Sequence, residues 1–479
     1  MTETTELKAL EGAVKRDLEL LAYPAKEWVT PRGNDILDCA IVGGGQLGLS
    51  VAFALMRERV TNIRVFDASP EGREGPWITF ARMQTLRTPK LYSGPEVGFA
   101  NLTFRAWFEA VKGADAWDGI DRIARQDWMA YLVWFRQVLD LPVTNDARVA
   151  RVIPEADETF RLIVETPGET QELRARTLVY ATGAFGAGQD FVPSAIAALP
   201  DGCWRHSNQS FDHALFRGKR VGVLGAGASA FDCAATAMET GAVSAEICFR
   251  RAKLPVQNPR RFLETAGFLG QFRDLPDAKK WRCVKHLHDI GQPPPAATFQ
   301  RALSQGVKLR PFAPWTAARI DEAGAIEIDT GRERLTYDFV VVATGMVLDL
   351  GQRPELADIV GDIALWGDRY VPPEGEDCAY LSSHPYQGDR GQLLEKVPGQ
   401  APWLRRVFML NGASGPSLGP TIHSCAAMRY AAPMIARGVV GELFKDEADA
   451  ILDDLVGQIH YEAGLDELLA EQPATAARG

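Results

Sequence analysis

Two glycine turns, each set between a buried strand and a helix, and two strand-ending Ala-Thr-Gly triplets predict an α/β chain. The expected architecture is two Rossmann-like dinucleotide-binding domains, the second inserted in the first, with added helices. The turns lie in "DCAIVGGGQLGLSVAFAL" (38–55) and "KRVGVLGAGASAFDCAA" (219–235). The triplets are Ala181-Thr182-Gly183 and Ala343-Thr344-Gly345. At 479 residues the chain exceeds one ordinary core. The division expected is a helical extension over 1–34, a first part over 35–200, an inserted domain over 201–345, and a return part with C-terminal helices over 346–479.

The elements follow in order. "ELKALEGAVKRDLELLA" has helical spacing and packs on the main body. "ILDCAIVGGG" reads as a buried strand entering a turn, "QLGLSVAFALMRER" as the helix after it, and "NIRVFDAS" as a strand ending in Asp67. Residues 77–140 are rich in Trp, Phe, Arg and Leu and close on the amphipathic "RQDWMAYLVWFRQVLDLP"; the aromatic-rich 104–135 within them suits core more than a substrate box, with a part left open as a wall of the flavin cavity. "RVARVIP", "FRLIVET" and "TLVYATG" alternate and are β-branched, hence strands. "GKRVGVLGAGASAFDCAATAMETGAVSAEICFRR" repeats the β-α-β plan. Residues 252–318 read as irregular, "YDFVVVATG" as a buried strand, and 421–471 as helical and acidic.

Composition narrows the function classes. A net charge of −10 offers no footprint for nucleic acid or for an anionic membrane surface. No apolar run reaches the length of a membrane span. The seven cysteines form no CxxC or CxxxxC pair, and their odd number without a leader segment points to a reducing cytoplasm. His286-x-His288 has too few partners for a metal, and none is expected. His384 and His423 suit packed histidines better than acid–base catalysts.

In the first turn, Gly43 allows the tight bend, Gly45 lets a pyrophosphate approach, and Gly48 lets helix and strand pack closely. Gln46 opens the helix, and Asp67 would accept hydrogen bonds from a ribose, so this turn is assigned FAD. The second turn places Gly225, Gly227, Ser229 and Ala230 in the same order. Its second strand ends in Arg250 and Arg251 rather than an acid. Guanidinium groups suit a 2′-phosphate, so this turn is assigned NADPH; the alternative is plain surface cations.

These features together resemble the two-dinucleotide-binding-domain flavoproteins, in which such turns carry the chain between FAD and nicotinamide domains near Thr182, Gly183, Thr344 and Gly345. Without a redox cysteine pair, the chain is more similar to class B flavin-dependent monooxygenases than to disulfide reductases. "GREGPWITF" sits where that group has its Gly-Gly-x-Trp segment, and the resemblance implies Trp77 near the flavin. "WRHSNQSFD" is similar to the group's fingerprint, but Phe211 follows His206 at five residues instead of four. "GPSLGPTIHSCAAM" is similar to an N-hydroxylase segment whose amides near Thr421 and Ile422 face the flavin N1–C2=O edge. "GPWITFARMQTLRTPKLYSGP" resembles bacterial amino-acid N-oxygenases of the nitrosuccinate-forming type.

The resemblance implies an NADPH- and O2-dependent FAD monooxygenase acting through a C4a-(hydro)peroxyflavin on the nitrogen of a small amine or amino acid. Baeyer–Villiger or sulfur oxygenation is the nearer alternative. An NADPH-dependent flavin reductase or oxidase, or a redox-sensing nucleotide-binding protein, is the more distant one. Arg82 and Asn258 are the catalytic candidates, and Arg87 and Lys90 the substrate-binding ones. For the cations, contacts to FAD phosphates or structural carboxylates stay open; for Asn258, a turn before Pro259 does. Partners are expected to be a small molecule and O2, with a homodimer permitted by the acidic C-terminal helices.

Overall fold

In the computed structural model, which describes residues 4–457 other than 23, 34 and 93, together with 465, a seven-stranded sheet carries the first glycine turn. Its central strand Ile36–Val42 runs parallel to Ile63–Phe66 and to Glu169–Gly183. Cys39, Ala40 and Ile41 have no exposed surface. A parallel strand covered on both faces needs apolar side chains on both, hence a continuous run rather than alternation. Val143–Thr144 extends the sheet beyond Ile63–Phe66.

Glu169–Gly183 changes partners along its length. Its first half pairs antiparallel with Phe160–Thr166, which pairs with Arg148–Pro154. Phe160, Leu162 and Val164 are buried in alternation, the period-2 signature of a half-buried strand. The second half lies between Ile36–Val42 and Val407–Asn411, both parallel. The chain therefore leaves this sheet and returns to it.

Between those visits it builds a five-stranded parallel sheet in the order Lys308–Pro311, Ser244–Phe249, Arg220–Leu224, Phe339–Val342, Trp204–His206. An antiparallel layer of Ala317–Ile320, Ile326–Asp329 and Arg334–Tyr337 shares a core with it. The outgoing and returning segments pair antiparallel as Gly188–Asp190 and Met346–Leu348.

Helices complete the first unit. Thr5–Leu20 is capped by the Thr4 side chain and buries Leu7 and Val14 in the main core. Arg125–Val138 buries Trp128, Tyr131 and Trp134 there, so the aromatic segment is core as expected. The long helix Met428–Gly457 packs on Gln46–Arg57. Buried Arg176 reaches Asp38 (3.1 Å), Asp446 (3.0 Å) and Glu447 (2.7 Å), tying that helix to the sheet. The part of the predicted C-terminal helical tail beyond 457, Leu465 aside, lies outside the described residues.

Residues 252–318 correct the sequence reading. They hold the helices Asp277–Ile290 and Ala296–Ser304 and the edge strand Lys308–Pro311. The first of these helices buries only Trp281, so its tertiary contact is too narrow to leave an apolar stripe in sequence.

Candidate functional site

Gly43 has φ +107°, and a Cβ there would stand 2.6 Å from the Ala181 carbonyl oxygen. Gly225 has φ +149°, and its Cβ would stand 2.3 Å from the Ala343 carbonyl oxygen. In both turns the alanine of an Ala-Thr-Gly triplet fills the space a side chain would need, so turn and triplet are halves of one packing unit. A Cβ at Gly48 would meet the Gly43 carbonyl oxygen at 1.8 Å, which fixes how close helix and turn lie. Ala230, at the corresponding position of the second turn, is fully buried, with Ser229 half-buried beside it.

Gly45 and Gly227 are different. Each is the N-cap of its helix with no side-chain cap bond, and a Cβ on either meets nothing within 4 Å. Two helix N-termini thus present uncapped amides to open space, the arrangement a pyrophosphate takes. The residues fit two dinucleotides. Asp67, just past Ile63–Phe66, accepts from the Gly44 amide (2.7 Å) and the Ser69 amide (2.8 Å), which fixes its carboxylate beside the turn. The same turn opens on a small cleft walled by Glu74, Met129, Val133 and Arg136.

Arg250 and Arg251 lie exposed just past Ser244–Phe249 and form no carboxylate pair among the described residues. Arg251 lies against Gly291, where a Cβ would meet its Nη1 at 3.2 Å. At the triplets, Thr182 Oγ1 donates to the Gly186 carbonyl (3.0 Å) and accepts from Asn411 Nδ2 (3.1 Å), while Thr344 Oγ1 donates to the Phe191 carbonyl. Gly183 (φ +75°) and Gly345 (φ +79°) then turn the chain into its crossings.

Gln46 joins the first turn to the C-terminal segment. Its Nε2 donates to the His423 carbonyl (3.3 Å), and its Oε1 accepts from Trp128 Nε1 (3.1 Å) and Cys425 Sγ (3.3 Å). Trp77 meets Trp128 edge-on at 6.2 Å. Gln46, Trp77 and the Thr421–Cys425 turns therefore form one wall beside the first glycine turn. Thr421 and Ile422 are buried in turns before Met428–Gly457, and the Ile422 amide is taken by the Gly419 carbonyl (3.0 Å).

The polar candidates divide by what holds them. Arg82 is buried and donates to the carbonyls of Ser207 (2.7 Å), Phe80 (3.0 Å) and Gln209 (3.1 Å); its guanidinium also lies 4.3 Å from the Phe211 ring centroid. The His206–Phe211 segment thus grips Arg82. Lys90 Nζ donates to the Trp117 and Ile120 carbonyls, both at 2.7 Å. Arg87 pairs with buried Asp232 at 3.4 Å, which also meets Arg301 at 3.3 Å. Asn258 is exposed and accepts from Gln292 Nε2 at 3.1 Å.

Sequence reasoning missed Arg260, on the short turn Pro259–Leu263, and set aside His423. Arg260 is exposed and makes no hydrogen bond or ion pair among the described residues. Burial, then Arg260, holds His423 at about 4, and its Nδ1 is shielded without a hydrogen bond. His423 is therefore neutral at pH 7. Nothing in the local pattern "NPRRF" distinguishes Arg260 from its neighbours.

Residues 40–185 match a family model described as FAD-NAD(P)-binding, and residues 117–290 one described as L-lysine 6-monooxygenase/L-ornithine 5-monooxygenase. A FAD-dependent urate hydroxylase of Xanthomonas campestris pv. campestris is 42% identical over 456 residues, covering 94% of this chain and 96% of that protein. Solved structures with the same fold include an ornithine hydroxylase from Pseudomonas aeruginosa, with TM-score 0.68, 18% identity, and 85% of this chain and 100% of that one covered. An ornithine N-hydroxylase from Kutzneria sp. 744 has TM-score 0.67, 16% identity, and coverage of 85% and 99%. With two dinucleotide cradles in place and 42% identity held over nearly its whole length, the chain belongs to the class B flavin-dependent monooxygenases, as an enzyme of FAD and NAD(P)H in the same family as this urate hydroxylase.

Proposed function

We propose that the enzyme hydroxylates a small planar heterocyclic anion, urate or a compound closely like it, with NADPH as electron donor. The observation carrying this reading is the identity of 42% to a urate hydroxylase across 94% of the chain. Bound FAD supplies passage of two electrons from NADPH to O2, one oxygen atom entering the substrate as hydroxyl and the other leaving as water.

In this reading Gly43, Gly45, Gly48 and Asp67 hold FAD, and Gln46, Trp77 and the Thr421–Ile422 turns wall its ring. Gly225, Gly227, Ser229 and Ala230 hold the NADPH pyrophosphate, and Arg250 and Arg251 its 2′-phosphate. Thr182, Gly183, Thr344 and Gly345 shape the crossings between 35–200, 201–345 and 346–479. The Trp77–Trp128 pair and buried Ile422 keep water from that wall. Arg82 and Lys90, spent on backbone carbonyls, shape the segment rather than touch substrate.

A second reading, oxygenation of an amine or amino-acid nitrogen, is supported by the match over 117–290. A substrate panel separates the two. Urate is expected to drive O2 uptake matched one for one by NADPH oxidation, with NADH far less effective. Coupling by ornithine or lysine alone, with hydroxylamine formed, would replace the first reading by the second.

A further inference from the structure

A guanidinium only donates hydrogen bonds and keeps its charge at any working pH. Arg82 donates from Nη1 to the Phe80 and Ser207 carbonyls, from Nη2 to the Gln209 carbonyl, and from Nε to Nε2 of His213 at 3.2 Å. Backbone carbonyls take no proton near neutrality, whereas an imidazole does. The bond to His213 is therefore the one link of Arg82 that pH can break. Since Nε2 accepts, the ring is neutral and carries its proton on Nδ1. A second proton at Nε2 would set N–H against N–H and one cation against another.

His213 lies half-buried at the start of the short helix His213–Phe216. Phe216 stacks on its ring at 6.0 Å with planes at 16°, and Phe211 meets it edge-on at 5.6 Å. The Phe211 ring also faces the Arg82 guanidinium, so imidazole, guanidinium and Phe211 form one cluster. Burial, then Arg82, pulls the His213 pKa below its usual value; Arg125 adds to this and Asp212 opposes it. Arg125 donates to the Trp77 carbonyl, and exposed Asp212 accepts from the Ala214 amide at 2.8 Å. The helix Ala228–Glu239 packs on the same turn. Its Asp232 is taken by Arg87 and Arg301, its Glu239 by Arg301, and burial holds the Cys233 thiol uncharged, at about 11.

We propose that His213 is a positioning residue for flavin reduction: its neutral ring holds the Arg82 guanidinium against the Ser207 and Gln209 carbonyls, and a proton taken at Nε2 loosens this clamp between residues 77–90 and the inserted unit. The proton comes from solvent; the two electrons and the hydrogen that reduce the flavin come from the nicotinamide nucleotide, and His213 supplies neither. Reduction therefore slows in acid. The inference concerns the reductive half of the cycle and holds whichever substrate is hydroxylated.

The test is anaerobic stopped-flow reduction of the FAD-loaded parent, His213→Gln and His213→Phe over about pH 5–8. Saturating NADPH or NADH is used, whichever reduces the parent faster. The parent rate is expected to fall about 5-fold toward acid, the scale of one hydrogen bond, with a midpoint below 6.5. His213→Gln keeps an acceptor that takes no proton, so its acid limb disappears. His213→Phe fills the place of the ring without an acceptor, so its rate stays near the acid level of the parent at every pH. A parent without an acid limb, or an acid limb kept in His213→Gln, overturns the proposal. So does a His213→Phe rate equal to that of the parent at the alkaline end. A merely structural role would slow the variants by one factor at all pH values and leave the limb in place.

Discussion

His384, Glu96 and Lys90 show how burial decides what a polar side chain can do here. His384 is 2% exposed, and burial pulls its pKa to about 4 against the opposing bonds of its ring to the Tyr380 and Leu381 backbone. Glu96 is 5% exposed, and burial pushes it up to about 7 while Arg429 and a backbone bond oppose the rise. The signs differ. As pH falls from about 6.5 to about 4, an unfolded histidine takes a proton that the buried one refuses, so stability is lost on the acid side. As pH rises from about 4.5 to about 7, an unfolded glutamate releases a proton that Glu96 retains, so stability is lost toward neutrality. Glu96→Gln removes the second dependence. Its stability advantage over the parent is expected to grow with pH up to about 7 and then level off at no more than about 3 kcal/mol. Thermal unfolding of both proteins across pH 4.5–8 tests this; parallel curves contradict it. Lys90 belongs to the same scale: in sequence it is a cation soon after Trp77, and only the fold gives its protons to the Trp117 and Ile120 carbonyls.

The element that carries the cofactor chemistry is strand, turn and helix, used twice. Gly45 (φ −73°) and Gly227 (φ −86°) have backbone conformations any residue adopts, and added methyl groups meet nothing. Folding therefore tolerates alanine at both, whereas a bound pyrophosphate does not. Gly45→Ala is expected to purify folded by circular dichroism with its FAD content sharply reduced. Gly227→Ala should keep FAD and raise KM for NADPH at least about 10-fold, the scale of one lost charge-assisted contact. If Arg250 and Arg251 hold the 2′-phosphate as proposed, Arg250→Glu with Arg251→Glu raises KM for NADPH while sparing NADH, which lacks that group. Full flavin occupancy in Gly45→Ala would refute the cradle. These elements were legible because strand, turn and helix are local: their glycines answer to atoms a few residues away and to one triplet. The helices of 252–318 were not, because their partners lie far along the chain. Trp281 Nε1, for instance, donates to the Glu376 carbonyl.

At the scale of the molecule, the segment around residues 77–90 is clamped by the inserted unit. Arg82 bonds the carbonyls of Ser207 and Gln209, Arg301 Nη1 donates to the Arg82 carbonyl at 2.9 Å, and Arg87 meets Asp232. Removing the Arg82 guanidinium strands buried carbonyls at that junction. Arg82→Met is expected to cost about 2–4 kcal/mol. It should also slow anaerobic reduction of the flavin by NADPH, because the two units lose their register. Stopped-flow absorbance and thermal unfolding check the two effects, and Arg82→Lys should recover only part of each, since one ammonium cannot span a planar fork of acceptors. An unchanged reduction rate in Arg82→Met would confine the residue to local stability.

The amino-acid sequence by itself determined the two nucleotide turns, since glycine spacing, strand composition and helix starts are set by short-range sterics and hydrogen bonding; the insertion of one unit into the other and the flavoprotein class came from the resemblance those turns carry. Which cations the fold itself engages was decided only by the tertiary structure. Arg82, Arg87, Lys90 and Arg260 are equivalent as letters. Three are engaged by carbonyls or a carboxylate brought from distant segments, and Arg260 is left exposed without a hydrogen bond or ion pair among the described residues. That difference is the sum of long-range contacts and desolvation, which no local pattern encodes.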